Sequence, residues 1–444
     1  MLRHFPPRTN PMRQYTNNAM TRFLTALLAL TAIIESSAAE RPNVILIMAD
    51  DIGQECYEPY GGTSYQTPEL NRMAAHGMRF THAYSNPLCT PTRIKIMTGK
   101  SNVRNYAAFS ILRKSERTIG HMMQEAGYHT VVAGKWQLFG AAHYSERFRA
   151  QGTLPQNAGF DRHCLWQVEQ LGSRFWGPTV TVDGETQTLP DDVYGPDVYC
   201  QYLLDRMEEY RNEPFFLYYP MALVHSPFVP TPDSEDHQSK NKQQNFADMV
   251  QYMDKLIGRI VRRTEELGIA ERTLILVTGD NGTHTSIRSQ QGERVVKGGK
   301  GLPTNAGTHV ALFALQPKTV PAGSICEDLV EFSDFLPTLA EAAGVEPTTE
   351  SDGQSFLPQL RGDSGSPRES IFVYYWPRPE KGQPKRFVRD KRWKLYGAGR
   401  LYDVRNDILE KSPFPENRRL KIRQRLAEAM SSMPAEGQAL LKFD

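Results

Sequence analysis

A chain of 444 residues, 39% hydrophobic and 23% charged, has ordinary globular composition and can bury one large core or two unequal ones. Its formal net charge is +2 with both signs interspersed, so no basic tract points to a nucleic-acid partner. Five cysteines (Cys56, Cys89, Cys164, Cys200 and Cys326) lack paired C-x-x-C spacing, which argues against a zinc site and against a dense disulfide scaffold.

The chain opens with Arg3, Arg8, Arg13 and Arg22, then an apolar run from Phe23 to Ile34, then Ser36, Ser37, Ala38 and Ala39. That order reads as a secretory signal over 1–39, and the run falls short of the roughly 20 apolar residues of a stable membrane span. An exported protein, periplasmic or extracellular, is expected. An odd cysteine count in such a protein leaves a thiol to explain, and Cys89 is the candidate.

Four apolar, β-rich runs follow: Val44–Met48, His129–Ala133, Phe215–Tyr219 and Thr273–Thr278. Continuous runs without alternation suit strands covered on both faces, hence parallel strands between helices. A helix is expected from Asn245 to Leu267, stopped by Gly268, and another from the cap pair Thr67-Pro68 to near Gly77. From about Glu346, Pro, Gly and Ser clusters precede short strand-like runs at Ile371–Tyr375 and Arg392–Tyr396, then a helix near Arg418–Met430. The expected fold is α/β: a large mixed, mostly parallel sheet sandwiched by helices over residues 40–345, with a smaller C-terminal antiparallel-sheet subdomain over 346–444.

Doubly wound sheets place ligands at the carboxyl ends of their strands. Here the strong runs are followed by Asp50 and Asp51, by Gly134-Lys135, after a short gap by His225, and by Asp280 and Asn281. Three carboxylates and an amide oxygen suit a hard cation, calcium before magnesium. Arg93, Lys135, Lys300 and His225 would repel one another and the cation unless a tetrahedral oxyanion, sulfate or phosphate, sat among them. In Cys89-Thr-Pro-Thr-Arg93, Pro91 suits a first helical turn, which sets Cys89 at a helix N-terminus where backbone N–H groups favour an anionic nucleophile or substrate; taken alone, such a cysteine could equally be a simple thiol of depressed pKa.

The segment Cys89–Arg93 with Thr98-Gly99 resembles the signature of the type I sulfatase family, in which the cysteine is oxidised to formylglycine. Arg41–Asp51, Thr67–Gly77, Gly134-Lys-Trp136, Thr278–Gly282 and Gly299-Lys-Gly301 are similar to that family's motifs in the same order, and Trp393-Lys-Leu395 and Leu401-Tyr-Asp403 resemble its C-terminal pattern. The resemblance spans roughly Arg41 to Asp403. It implies hydrolysis of sulfate esters, on a sulfated small molecule or glycan, by a hydrated aldehyde at position 89. It further implies a calcium ion held by Asp50, Asp51, Asp280, Asn281 and the modified Cys89, with Arg93 supporting the hydrate. Lys135 and Lys300 would grip sulfate, and His225 would bind substrate and protonate the leaving alcohol. A formylglycine-generating enzyme becomes a maturation partner.

Two departures stand out. Where the family usually has a histidine after Gly134-Lys-Trp136, this chain has Gln137, which cannot accept the proton of the last step, so sulfate release would either be slow or use another base such as His143 or His284. Beyond Lys300, Asn305-Ala-Gly-Thr-His309 replaces an acidic-glycine-glycine stretch ending in arginine. Two other readings remain open: a phosphate or phosphonate ester hydrolase, and a non-catalytic or single-turnover sulfated-glycan binding protein on the same frame.

Overall fold

The computed structural model describes residues 1, 4–5, 41–347 and 350–443. The signal segment expected over 1–39 lies outside them apart from residues 1, 4 and 5. Pro42–Asp444 form one compact unit, to which everything below refers.

The four apolar runs became β1 (Asn43–Ala49), β3 (His129–Lys135), β7 (Phe215–Pro220) and β8 (Thr273–Gly279). With β4 (Arg162–Trp166) they form the parallel centre of the large sheet, in the order β8-β1-β7-β3-β4. Side chains alternate between its faces, and each face has its own apolar core. Ile45, Ile47, Val131, Leu217 and Val277 enter one, whereas Val44, Leu46, Val132, Phe216 and Leu276 enter the other. Covering on both faces is why these stretches read as unbroken apolar runs.

Antiparallel strands make the sheet mixed. β2 (Met78–Tyr84), β11 (His309–Val310), β12 (Leu312–Leu315) and β13 (Ser324–Glu331) extend it beyond β8, and β5 (Thr179–Val182) and β6 (Glu185–Thr188) extend it beyond β4; every added pairing is antiparallel except that of β13 with β2, which is parallel. β9 (Arg288–Gln291) and β10 (Arg294–Lys297) form a separate hairpin. The C-terminal region holds a second, antiparallel sheet of β14 (Ile371–Tyr375), β15 (Lys385–Arg389), β16 (Trp393–Tyr396) and β17 (Leu401–Asp403), with the helix Leu420–Ser431 against it.

The long helix runs Lys242–Glu266, its N-terminus capped by the Asn241 side chain, which accepts from the amides of Gln243 and Gln244. Phe246, Met249, Val250, Met253, Leu256, Ile257 and Ile260 form its buried stripe. The helix Pro68–His76 starts where expected, but the Thr67 hydroxyl does not cap it. Asp254 of the long helix does so instead, accepting from the amides of Glu69 and Leu70 at 2.9 Å each. A carboxylate from a packed neighbour satisfies two orphan donors where one hydroxyl satisfies one.

Candidate active site

The carboxyl ends of β1, β7 and β8 are tied together by main-chain bonds. The Asp280 amide donates to Ala49 O at 2.9 Å, the Asp50 amide to Leu223 O at 2.8 Å, and the Val224 amide to Asp50 O at 2.7 Å. Asp51 lies in the left-handed region at φ 61°, which aspartate tolerates better than most residues, and its amide donates to Asp280 Oδ1 at 3.0 Å. At the end of β3, Gly134 has φ 121°, and a Cβ there would come within 2.2 Å of Pro220 O. Glycine at 134 therefore lets β3 close on the chain leaving β7 and delivers Lys135 beside β1.

The nine residues that the sequence marked for catalysis or metal binding are brought together here; the two candidate replacement bases, His143 and His284, are not. Lys135 Nζ donates to Asp50 Oδ2 at 2.7 Å, and both side chains are buried. Arg93, 1% exposed, donates from Nη2 to Asp280 Oδ2 at 3.0 Å and from Nη1 to Lys135 O at 3.0 Å, and stands 3.9 Å from Asp50 Oδ2. Lys300 Nζ donates to Asp51 Oδ2 at 2.6 Å and to His225 Nε2 at 2.9 Å. Its loop is pinned by Lys300 N to Thr283 O at 3.0 Å and Gly301 N to Pro87 O at 2.7 Å.

The electrostatics follow from that packing. Burial alone would raise the Asp50 and Asp51 carboxyls, but the surrounding lysines, His225 and, for Asp50, Arg93 outweigh it and hold both below the usual carboxylate range. For Asp280, burial and the neighbouring Asp50 outweigh Arg93 and push it up to about 7. Burial lowers His225 to about 4 despite Asp51 and Asp50, so the ring is neutral near pH 7. Its Nδ1–H donates to Ser226 O at 2.6 Å, which leaves Nε2 as the acceptor from Lys300.

The oxygen atoms fit a hard cation. Asp50 Oδ1 and Asn281 Oδ1 are sealed from solvent without a hydrogen-bond partner. Asn281 spends its Nδ2 on Asp51 Oδ1 and Gly282 O, 2.9 Å each, so its carbonyl oxygen stays free. Ligand atoms of Asp50, Asp280 and Cys89 lie within 4.8 Å of one another, as do those of Asp50, Asp51 and His225. Buried acceptors left unpaired cost about 1–3 kcal/mol each, a cost that an oxygen-seeking ion removes.

Cys89 is the first residue of the helix Cys89–Thr98, with Pro91 in its first turn and Gly99 ending it in the left-handed conformation. The thiol departs from the depressed pKa expected at a helix N-terminus. Burial pushes it up from its ordinary value, against the pull of Lys135 and Lys300. Cys89 Sγ stands 3.4 Å from Gln137 Oε1. His143 is exposed and packs on Tyr144, while His284 engages Ser286 and the edge of Phe228, so neither takes the place of Gln137 beside Cys89.

The segment Asn305–His309 faces the C-terminal sheet. Arg389 Nη1 donates to Asn305 Oδ1 at 2.6 Å, and its guanidinium lies 3.7 Å from the centroid of the Tyr84 ring, on which His309 stacks at 4.4 Å. An arginine from β15 thus braces a stretch that in the resembled family carries its own. Sequence reasoning missed Arg174, whose charge is felt by Asp50, Asp51 and Cys89. It sits in the loop between β4 and β5, where neither spacing nor pattern marks it.

Such a pocket combines oxygen atoms suited to a hard cation with fixed bases suited to a tetrahedral oxyanion, and similarity to known proteins narrows the class. Residues 42–345 match the Sulfatase family, and residues 302–436 match N-sulphoglucosamine sulphohydrolase, C-terminal. Human arylsulfatase A is 30% identical over 78% of this chain and 73% of its own. Dog N-acetylgalactosamine-6-sulfatase is 27% identical over 79% of this chain and 72% of its own. A structure solved in complex with its substrate D-glucosamine-2-N,6-O-disulfate shares the fold, with TM-score 0.72 at 20% identity over 88% of this chain and 97% of that one. The chain belongs to the sulfatase family, and it is an enzyme of sulfate ester hydrolysis.

Proposed function

We propose that the enzyme hydrolyses sulfate esters of carbohydrate with a formylglycine made from Cys89 and a calcium ion held by Asp50, Asp51, Asp280 and Asn281. The observation that carries this reading is the meeting of unpaired Asp50 Oδ1 and Asn281 Oδ1 with three carboxylates beside Cys89. The raised thiol adds support, because an unmodified Cys89 would be a weak nucleophile near neutral pH. Sulfated sugar is favoured as the substrate class by the N-acetylgalactosamine-6-sulfatase relatives and by the neighbour solved with a disulfated glucosamine.

When present, the two groups supply a nucleophilic hydrate and a dication that draws off charge from the reacting oxygens. The chain's own residues do the rest. Arg93 fixes Asp280 and the end of β3 while facing position 89. Lys135 and Lys300 release part of their hold on Asp50 and Asp51 to grip sulfate oxygens. His225 keeps Nδ1 on Ser226 O, and a bound anion restores the charge that burial removes. Protonated with substrate in place, its Nε2 gives the proton to the departing alcohol.

Steady-state hydrolysis of 4-nitrophenyl sulfate against 4-nitrophenyl phosphate, with calcium present, tests the reading. Preference for the sulfate by more than about a hundredfold is expected, since discrimination between two tetrahedral anions rests on differential transition-state binding. Preference for the phosphate would overturn it.

A further inference from the structure

Arg93, Lys135 and Lys300 are each matched by a carboxylate of the site: Asp280, Asp50 and Asp51 in turn. Arg174 is the cation left over. It forms no ion pair with any described carboxylate, and its Nη1 is closed off from water with no hydrogen-bond partner, although the residue as a whole is partly exposed. A guanidinium nitrogen sealed without an acceptor is costly, and such costs persist where a ligand removes them.

Its position is built rather than incidental. The guanidinium stacks 3.9 Å from the centroid of Trp166, and Trp166 is the register partner of Lys135 on the neighbouring strand. Partners in register present their side chains to the same face of a sheet, so Arg174 stands one strand over from Lys135 on the pocket side. The loop carrying it is fastened on two sides. The Gly195 amide donates to Phe175 O at 2.7 Å, and Trp176 Nε1 donates to Pro230 O at 2.8 Å, in the segment that follows His225. Stacking on an indole leaves the fork of N–H donors free for a planar or tetrahedral anion, the geometry that arginine recognises bidentately.

We propose that Arg174 is a specificity-determining residue that binds a second anionic substituent, a sulfate or carboxylate, carried by the same sugar substrate as the scissile sulfate. This rests on the sulfated-carbohydrate reading above and narrows it to substrates bearing at least two negative groups.

The test is calorimetric titration of the Cys89→Ala protein, which lacks the nucleophile, with the one-anion sugars N-acetylglucosamine 6-O-sulfate and N-acetylgalactosamine 6-O-sulfate and the two-anion sugars glucosamine 2-N,6-O-disulfate and N-acetylgalactosamine 4,6-di-O-sulfate. A two-anion sugar is expected to bind about tenfold or more tightly than its one-anion counterpart. That preference, the ordinary worth of one charge-assisted pair, should disappear in Cys89→Ala/Arg174→Gln while one-anion binding changes less than about threefold. Survival of the preference without Arg174, equal loss for both sugar classes, or no preference in the parent would overturn the proposal. Arg174→Lys, which keeps the charge and loses the fork, should restore part of the preference. A parent that discriminates normally while wild-type enzyme cleaves no sulfate ester would sink the catalytic reading and leave this one standing.

Discussion

Cys89 Sγ and Gln137 Oε1 stand 3.4 Å apart, and the side chain hydrogen-bonded to the nucleophile position is therefore an amide. An amide can hold a hydrogen bond, but it cannot take up a proton. With a formylglycine at position 89, elimination of sulfate from the sulfated hydrate would need a nearby group to accept the proton of its remaining hydroxyl. Wild-type enzyme is expected to release one equivalent of nitrophenol in a burst and then turn over slowly. Gln137→His should raise the steady rate by about a hundredfold, the ordinary worth of a placed base. A steady rate that stays the same or falls would mean that another group already serves.

Cation binding should depend on pH through Asp280. Its carboxyl is pushed up to about 7 without an ion, chiefly by burial and by Asp50, so near pH 8 it is mostly ionised and near pH 6 mostly protonated. The ion needs the carboxylate, so affinity should fall as pH is lowered through 7, approaching about tenfold per unit on the acid side. Calcium titration calorimetry at pH 6, 7 and 8 measures this. Affinity independent of pH would contradict it. Asp280→Ala should abolish both the pH dependence and activity, and full turnover by that variant would remove Asp280 from the ion site.

Asp254 caps the helix Pro68–His76 from outside it. Asp254→Ala should lower stability by about 1–2 kcal/mol, the cost of a lost cap, with activity per folded molecule unchanged. Urea unfolding read together with aryl sulfate turnover checks it. An unchanged midpoint would show that the helix N-terminus finds other acceptors.

The parallel centre of the sheet was legible because each of its strands β1, β3, β7 and β8 is buried on both faces and so carries an unbroken apolar run. The fifth strand of that centre, β4, and the strands flanking it were not. β2 (Met-Arg-Phe-Thr-His-Ala-Tyr) and β4 (Arg-His-Cys-Leu-Trp) mix polar and apolar residues, and β6 is exposed throughout. The nine site residues could be read because strand ends place charged side chains at one edge of a sheet and because their motifs resemble a known family. What could not be read depends on packing between distant segments: Asp254 in place of Thr67 as a cap, and Arg389 bracing Asn305. Arg174 belongs with them, since only the fold sets it on Trp166 beside Lys135. The Cys89 thiol shows the same limit. A helix N-terminus is visible in sequence and argues for a lowered pKa, whereas the burial that outweighs it is a tertiary property.

The central claim is that position 89 acts as an aldehyde, and the mass of the peptide containing residue 89, from protein co-produced with a formylglycine-generating enzyme, tests it most directly. The account predicts a peptide lighter than the thiol form by the difference between CH2–SH and CHO, and captured by a hydrazine reagent. An intact thiol in protein that turns over sulfate esters at full rate would contradict it.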